Sequence, residues 1–293
     1  MMRQIHFFAC ALLACSIAGA QQLADVKVEK VAGDFQFTEG PVWSRDGYLL
    51  FSDIPAGKIL RLTPGQAGTE VYRGNTNGAN GNAFDTRGRL YSCEGSGRRV
   101  VRIDRSGKVE VLAERFEGKR LNQPNDIVVR RDGHVYFTDP AFGSGDRERE
   151  LDFYGVYHIS PRGELELIAK PKGRPNGVAL SPDGRILYVD NTDERNVRAY
   201  DLDHGGRASN EHVLISGISG SPDGMKVDES GNLYVAAGAI EIYAPDGRHL
   251  GTIKLPETPA NCAFGDADFQ TLYVTARTSL YRVRLNVKGS VQY

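Results

Sequence analysis

One motif recurs six times along this chain, and this recurrence constrains the fold more than any other feature. Each copy opens on a residue with a side-chain oxygen and continues into a short apolar strand, a turn and a second β-rich strand. The opening residues are Glu39, Asn80, Asn125, Asn176, Asp223 and Asn261, which lie 41, 45, 51, 47 and 38 positions apart. Periods of roughly 20–50 residues are typical of stacked supersecondary units.

The rest of each repeat indicates two further strands and no helical periodicity. Four antiparallel strands per unit predict an all-β fold, a six-bladed β-propeller formed by residues 21–293 as a single domain. Residues 26–31 have strand character but belong to no repeat, and the last repeat ends soon after its third strand. We therefore expect the N-terminal strand to close the last blade and cover its edge.

The first twenty residues predict a cleaved signal peptide. Arg3 and His6 precede the apolar run 7–17, and Ala18-Gly19-Ala20 supplies small residues for cleavage. This predicts a periplasmic or secreted protein. An alternative is a lipid anchor, because Leu12-Leu13-Ala14-Cys15 resembles a lipobox. The apolar run is shorter than the roughly 20 residues that a membrane span needs.

Composition excludes some classes of function. The 36 basic residues nearly balance the 37 acidic ones, so the chain has no positive excess for binding nucleic acid. The motifs of serine hydrolases, zinc proteases, P-loop proteins and dinucleotide-binding proteins are absent. Cys93 and Cys262 are interpreted as buried apolar side chains, and a disulfide between them is the alternative. The histidines are interpreted as surface or loop residues because they fall at unrelated places in the repeats; they are His134, His158, His204, His212 and His249.

Oxygen-bearing side chains also recur at the ends of the second strands. Asp53, Glu94, Asp139 and Asp190 each follow an opening residue by fourteen positions. Antiparallel pairing places the two positions at one end of each hairpin, so we expect both to face one mouth of the channel. Turn formation is an alternative explanation for Asn-Gly and Asp-Gly, but it does not explain Glu39. Carboxylate and amide oxygens favour a hard cation, Ca²⁺ before Mg²⁺.

The motifs themselves resemble those of the gluconolactonase, senescence-marker-protein and luciferin-regenerating family. The resemblance covers the mature chain and rests on motifs that fall in order, one per repeat: 39–43, 124–126, 175–177, 222–225 and 261–265. It implies a six-bladed propeller with a divalent cation, usually Ca²⁺ with Mg²⁺, Mn²⁺ or Zn²⁺ as substitutes, and a hydrolase acting on lactones. By this resemblance Glu39, Asn176 and Asp223 hold the metal, Asn125 lies beside metal and substrate, and Asp223 is the general base.

Other positions depart from the family pattern or offer alternatives to it. Gln123 stands where animal members carry an arginine that grips the sugar, and Gly95 stands where many bacterial members have a histidine. Some bacterial lactonases place a catalytic aspartate at Asp139, the alternative base. The substrate-binding set predicted here is Asn125, Gln123, Glu94 and Asn80.

These patterns together predict a Ca²⁺-dependent lactonase with a small-molecule substrate. Organophosphate ester hydrolysis at the same site and a non-catalytic binding propeller with a structural calcium are the alternatives. The sequence leaves the particular lactone and the oligomeric state open. Residues 141–154, the insertion that makes the third repeat the longest, are either a lid over the site or a solvated loop.

Overall fold

The computed structural model describes residues 26–293, which form six four-stranded antiparallel sheets in which sequential strands run from the innermost to the outermost position. The predicted all-β, six-bladed propeller is confirmed. The first three blades are Thr38–Ser44, Tyr48–Asp53, Lys58–Leu62 and Glu70–Gly74; Ala79–Phe84, Leu90–Glu94, Arg99–Ile103 and Val109–Ala113; and Ile127–Val129, Val135–Asp139, Gly155–Ile159 and Leu165–Ala169. The next two are Pro175–Leu180, Ile186–Asn191, Asn196–Leu202 and Ala208–Ser216; and Met225–Val227, Leu233–Ala236, Ile240–Tyr243 and His249–Ile253.

The last blade combines strands from both ends of the described chain. Its inner strands are Pro259–Gly265, Thr271–Ala276 and Ser279–Arg284, and Val28–Ala32 is its outermost strand. Val28 lies opposite Val283 in this antiparallel pairing. The N-terminal strand thus closes the ring, as predicted, and leaves the third strand of this blade no open edge.

Two small elements lie outside the blades. Arg115–Phe116 and Lys119–Arg120 form a short hairpin before the third blade. A 3₁₀ helix, Gly143–Glu148, occupies the long insertion of that blade. Within residues 26–293 no helix has the length and apolar character needed to cross a membrane.

A recurring tyrosine packs at the second strand of five blades. Tyr91, Tyr136, Tyr188, Tyr234 and Tyr273 are each at most 3% exposed. The phenol hydroxyl of Tyr273 donates to Asp266, and the ring stacks on Trp43 at 5.8 Å in the neighbouring blade. The buried ring therefore fills the space between blades while its hydroxyl keeps a partner.

Two sequence interpretations of reactive side chains have different outcomes. Cys93 and Cys262 are free thiols with 0% exposure, which confirms them as buried apolar side chains. The interpretation of every histidine as a surface or loop residue is wrong for His134 and His158. These two rings are 8% and 2% exposed and stack with their centroids 4.9 Å apart. They are buried because they pack against each other, which the repeat pattern did not predict.

The chain beyond the last strand crosses one end of the central channel. Backbone N–H groups of Gly289 and Ser290 donate to Phe269 and Val227. The amide of Gln292 donates to the Ser181 carbonyl at 3.1 Å, in the fourth blade. The end of the channel where the first strands begin is the one that carries the predicted site residues.

Candidate functional site

A cavity of about 360 Å³ lies at the end of the channel where the first strands begin. It gathers predicted site residues from five blades, namely Glu39, Asn80, Gln123, Asn125, Asn176 and Asp223. Phe37, Ile54 and Phe142 add apolar walls. Two predicted site residues, Glu94 and Asp139, do not line this cavity.

The glycines that follow the opening residues allow the blades to meet tightly around the cavity. A Cβ on Gly40 would lie 1.9 Å from the backbone oxygen of Asn80, and one on Gly177 would lie 2.1 Å from that of Asp223. Gly177 belongs to the strand Pro175–Leu180. The Asn-Gly dipeptide there is a close approach of two strands and forms no turn, so the turn alternative does not account for it.

Glu39 and Asp223 are the carboxylates that line the cavity. Glu39 is 3% exposed, and its Oε2 accepts hydrogen bonds from the Gly40 N–H and from Asn261 Nδ2. Burial, together with the negative charge of Asp126, raises the pKa of Glu39 to about 7. Asp223 is partly exposed and lines the cavity, and burial followed by the charge of Glu39 raises its pKa well above the usual range. Two acids held this close call for a cation.

The orientation of the Asn176 amide is fixed by a chain of hydrogen bonds. The Thr192 hydroxyl donates to the Pro222 carbonyl at 2.8 Å, so it must accept from Asn176 Nδ2, which lies 3.0 Å away. Asn176 Oδ1 is buried and has no hydrogen-bond partner among the described residues. An orphaned amide oxygen beside two carboxylates fits a hard cation.

The donor set is poor in charged ligands. Over residues 26–293, no group of three or more His, Cys, Asp or Glu side chains is arranged to hold a metal ion. The predicted set of metal ligands contains only two carboxylates, and its other two ligands are the amides of Asn176 and Asn125. Neutral oxygen ligands of this kind suit Ca²⁺ better than Zn²⁺, which prefers nitrogen and sulfur.

The acids at the ends of the second strands divide between two faces of the blades. Glu39 pairs with Ser52, while Asp53 pairs with Thr38, one residue earlier. In the fourth blade it is Asn191 that pairs with the residue before the opening one. Asp190 therefore corresponds to Ser52 and faces the channel. Burial raises the pKa of Asp190, and the negative charge of Asp223 raises it further. The expectation that all four acids face one mouth is wrong, because a shift of one residue reverses the face of a strand.

Glu94 and Asp139 lie behind the cavity wall. Arg73 and Arg99 each approach the Glu94 carboxylate to 2.6 Å. Asp139 accepts the Asn122 N–H at 2.8 Å, its Oδ1 has no partner among the described residues, and burial raises its pKa to about 8.

Asp126 is a channel residue that the sequence reasoning did not single out. It is 2% exposed, and its two oxygens accept the N–H groups of Ile127 and Val178. Burial raises the pKa of this carboxyl. A signal for it was present, because four of the other five repeats carry glycine at this position.

The rim of the cavity is partly formed by the insertion of the third blade. Phe142 donates its N–H to Gln123 Oε1 at 2.8 Å, and the Arg174 guanidinium lies 4.7 Å from the Phe142 ring centroid. Gln123 thus supports the first residues of the insertion as well as lining the cavity.

Comparison with known proteins agrees with this architecture. The family model for the SMP-30/gluconolactonase/LRE-like region matches residues 37–278. A gluconolactonase of Zymomonas mobilis is 37% identical, covering 89% of this chain and 82% of its own. A solved Xanthomonas campestris protein described as a gluconolactonase is 33% identical, with a TM-score of 0.85 and coverage of 92% and 93%. A diisopropyl-fluorophosphatase of Loligo vulgaris is 29% identical, covering 90% and 94%. The chain belongs to the SMP-30/gluconolactonase/LRE-like family.

Proposed function

We propose that the protein is a Ca²⁺-dependent hydrolase that opens a sugar lactone in the manner of a gluconolactonase. The observation that carries the proposal is the cavity in which Glu39, Asp223 and the orphaned oxygen of Asn176 converge. Family membership and the 37% identity to a gluconolactonase support a lactone as the substrate. The identity to the fluorophosphatase is lower, at 29%, so organophosphate hydrolysis is not favoured.

Glu39, Asn176, Asp223 and Asn125 would hold the cation. When bound, the cation polarises the lactone carbonyl and the attacking water. Glu39 contributes one negative charge that its hydrogen bonds from Gly40 and Asn261 keep in place. Asp223 contributes the second charge, so the two carboxylates balance a divalent ion.

Asp223 is the preferred general base. Its carboxyl lines the cavity, and burial with the charge of Glu39 raises its pKa, which makes it a stronger proton acceptor than an ordinary aspartate. Such a proton transfer contributes about 10²–10⁴-fold to a rate. Burial raises the pKa of Asp139 to about 8, but this carboxyl does not line the cavity. Asp223 is therefore favoured as the base, because its carboxyl can contact a molecule bound in the cavity.

The lining chemistry fits a polyhydroxylated ring. Asn80 and Asn125 present amides, and Asn80 Oδ1 is buried without a partner among the described residues. Phe37 and Phe142 present apolar faces on which a sugar ring can pack. The polar and apolar sides match the two kinds of surface on a pyranose lactone.

Hydrolysis of aldonolactones, aromatic lactones and acyl-homoserine lactones, measured with calcium and with chelator, tests the proposal. We expect aldonolactone turnover that calcium supports and chelator removes. Asp223→Asn should lower kcat by at least about 100-fold, while the surface control Asp246→Asn leaves it unchanged. A larger loss in Asp139→Asn than in Asp223→Asn would transfer the role of base. A calcium-dependent melting temperature without hydrolysis of any lactone would identify a binding propeller.

Export is a separate part of the proposal. Residues 1–20 lie outside the described residues, and their composition supports a signal peptide. N-terminal sequencing of protein recovered from the periplasm should begin at Gln21. A chain that begins at a lipidated Cys15 would establish the anchored alternative.

A further inference from the structure

Lys226 is a lysine inside an acidic channel. It follows Asp223 by three residues, is only partly exposed, and lies on the first strand of the fifth blade, Met225–Val227. Its ammonium donates to the Met225 carbonyl at 2.9 Å and to Asn261 Oδ1 at 3.3 Å. No carboxylate comes within ion-pair distance of it among the described residues, so both of its partners are neutral oxygens.

The second partner connects Lys226 to the carboxylates of the site. Asn261 Oδ1 accepts from Lys226 and from the Cys262 N–H, which leaves Asn261 Nδ2 to donate to Glu39 Oε2 at 3.0 Å. Lys226 therefore reinforces an amide orientation that the Cys262 N–H and the Glu39 carboxylate also favour. An exchange of the oxygen and nitrogen would oppose the NH2 group to the Lys226 and Cys262 donors and present a lone pair to Glu39.

The channel around Lys226 holds more acid than one divalent cation balances. Glu39, Asp126 and Asp190 are at most 3% exposed, and Asp223 is the fourth acid. Burial raises the pKa of Asp126, and the charge of Lys226 opposes this rise. Fully ionised, these four acids would carry twice the charge of one divalent cation, and buried charges without compensation are costly.

Lys226 also borders the closed side of the channel. A second cavity, of about 80 Å³, lies between Lys226 and the tail residues 290–293, and its other walls are mostly apolar. The lysine thus stands at the boundary between the acidic site and an apolar interior.

We propose that the Lys226 ammonium is the resident cation of the channel: it positions Asn261 toward Glu39 and supplies fixed positive charge, so the channel takes up one divalent cation and no second one. This inference rests on the proposed function for the identity of the exchangeable cation. It makes Lys226 a positioning residue, since it acts on the site through Asn261.

Calorimetric titration with Ca²⁺ and melting curves in chelator test the proposal on wild type, Lys226→Gln and Lys226→Arg. Gln keeps a donor for Asn261 but removes the charge, and Arg keeps the charge. We expect wild type to bind one equivalent. Lys226→Gln should bind Ca²⁺ at least about fivefold more tightly, since a like charge is gone, and should melt roughly 3–8 °C lower without metal. Lys226→Arg should stay within about twofold of wild type in affinity.

Three outcomes overturn the proposal: two equivalents bound by wild type, an unchanged metal-free melting temperature in Lys226→Gln, or equal behaviour of the Gln and Arg variants. Failure of the proposed function is distinguishable. If wild type binds no calcium and hydrolyses no lactone, the chelator melting curves still decide whether Lys226 is the internal counter-charge.

Discussion

Replacing Glu39 by Gln should make the metal-free protein more stable while removing its response to calcium. Burial and the nearby Asp126 raise the pKa of Glu39 from 4.5 to about 7. A raised carboxyl pKa means that the folded protein binds this proton more tightly than the unfolded chain does. The cost to stability is therefore absent below pH 4.5, grows between pH 4.5 and 7, and stays constant above pH 7.

The size of the effect follows from the shift. One pKa unit corresponds to about 1.36 kcal/mol, so the rise of Glu39 costs the folded state about 3 kcal/mol at pH 8. Gln carries no charge, and its amide oxygen can still accept from Gly40 and Asn261. For a protein of this size, that free energy corresponds to roughly 5–10 °C in melting temperature.

Urea unfolding in chelator at pH 5 and pH 8 measures the effect directly. The variant should exceed wild type clearly at pH 8 and by much less at pH 5. Added calcium should stabilise wild type and leave the variant nearly unchanged, because a ligand charge has been lost. A variant no more stable than wild type at pH 8 would refute the electrostatic reasoning.

The remaining predictions concern three other parts of the molecule. Burial lowers the pKa of both His134 and His158, so stability should fall as pH drops below 6.5, by roughly 1–2 kcal/mol per pH unit; His158→Gln should reduce this slope and the exposed control His212→Gln should not. Gly177→Ala should lower the melting temperature by roughly 5 °C or more, because its Cβ would meet a backbone oxygen at 2.1 Å; an unchanged melting curve would contradict the close approach. Phe142→Ala should raise KM for aldonolactones several-fold with little change in calcium affinity, and unchanged kinetics would show that the insertion only borders the site.

The fold could be predicted from the sequence because the same strand and turn pattern occurs six times. Six copies of one hairpin pattern average out local ambiguities, and a leftover strand at one end matches a missing strand at the other. Histidines 134 and 158 could not be placed in the same way. Each of them occurs at a position where the other repeats have residues of other types. The repeat pattern therefore does not indicate that these two side chains are buried.

The residues of the candidate site could be predicted wherever the spacing of the sequence motif matches the pairing of the strands. Glu39, Asn176 and Asp223 open their repeats, and the structure brings all three to one cavity. The second set of acids was assigned by counting fourteen residues, which is unreliable because hairpin turns differ in length: six residues separate the paired Leu180 and Leu187 of the fourth blade, and five separate the equivalent Phe84 and Leu90 of the second. One extra residue in the turn moves the partner of the opening residue by one position and so reverses the face on which the acid lies.

The consequence of that shift is chemical. Counting alone makes Asp139 and Asp190 equivalent. In the fourth blade Pro175 pairs with Asn191, so Asp190 lies on the channel face. In the third blade the N–H groups of Gln123 and Asn125 donate to Pro140 and Thr138, which places Asp139 level with Pro124 and on the other face. Each is fully buried, and burial raises the pKa of each, so burial and charge do not separate them. Both accept a backbone N–H, Asp190 from that of Gly177 and Asp139 from that of Asn122. What separates them is the negative charge of Asp223, which acts on Asp190. An acid that faces the other channel carboxylates affects how tightly a cation is held there, whereas an acid tied to the backbone behind the wall holds the wall in place. Asp190→Asn should therefore weaken calcium binding, and Asp139→Asn should leave calcium affinity unchanged; the reverse pattern in calorimetric titration would show that the pairing argument assigns the faces incorrectly.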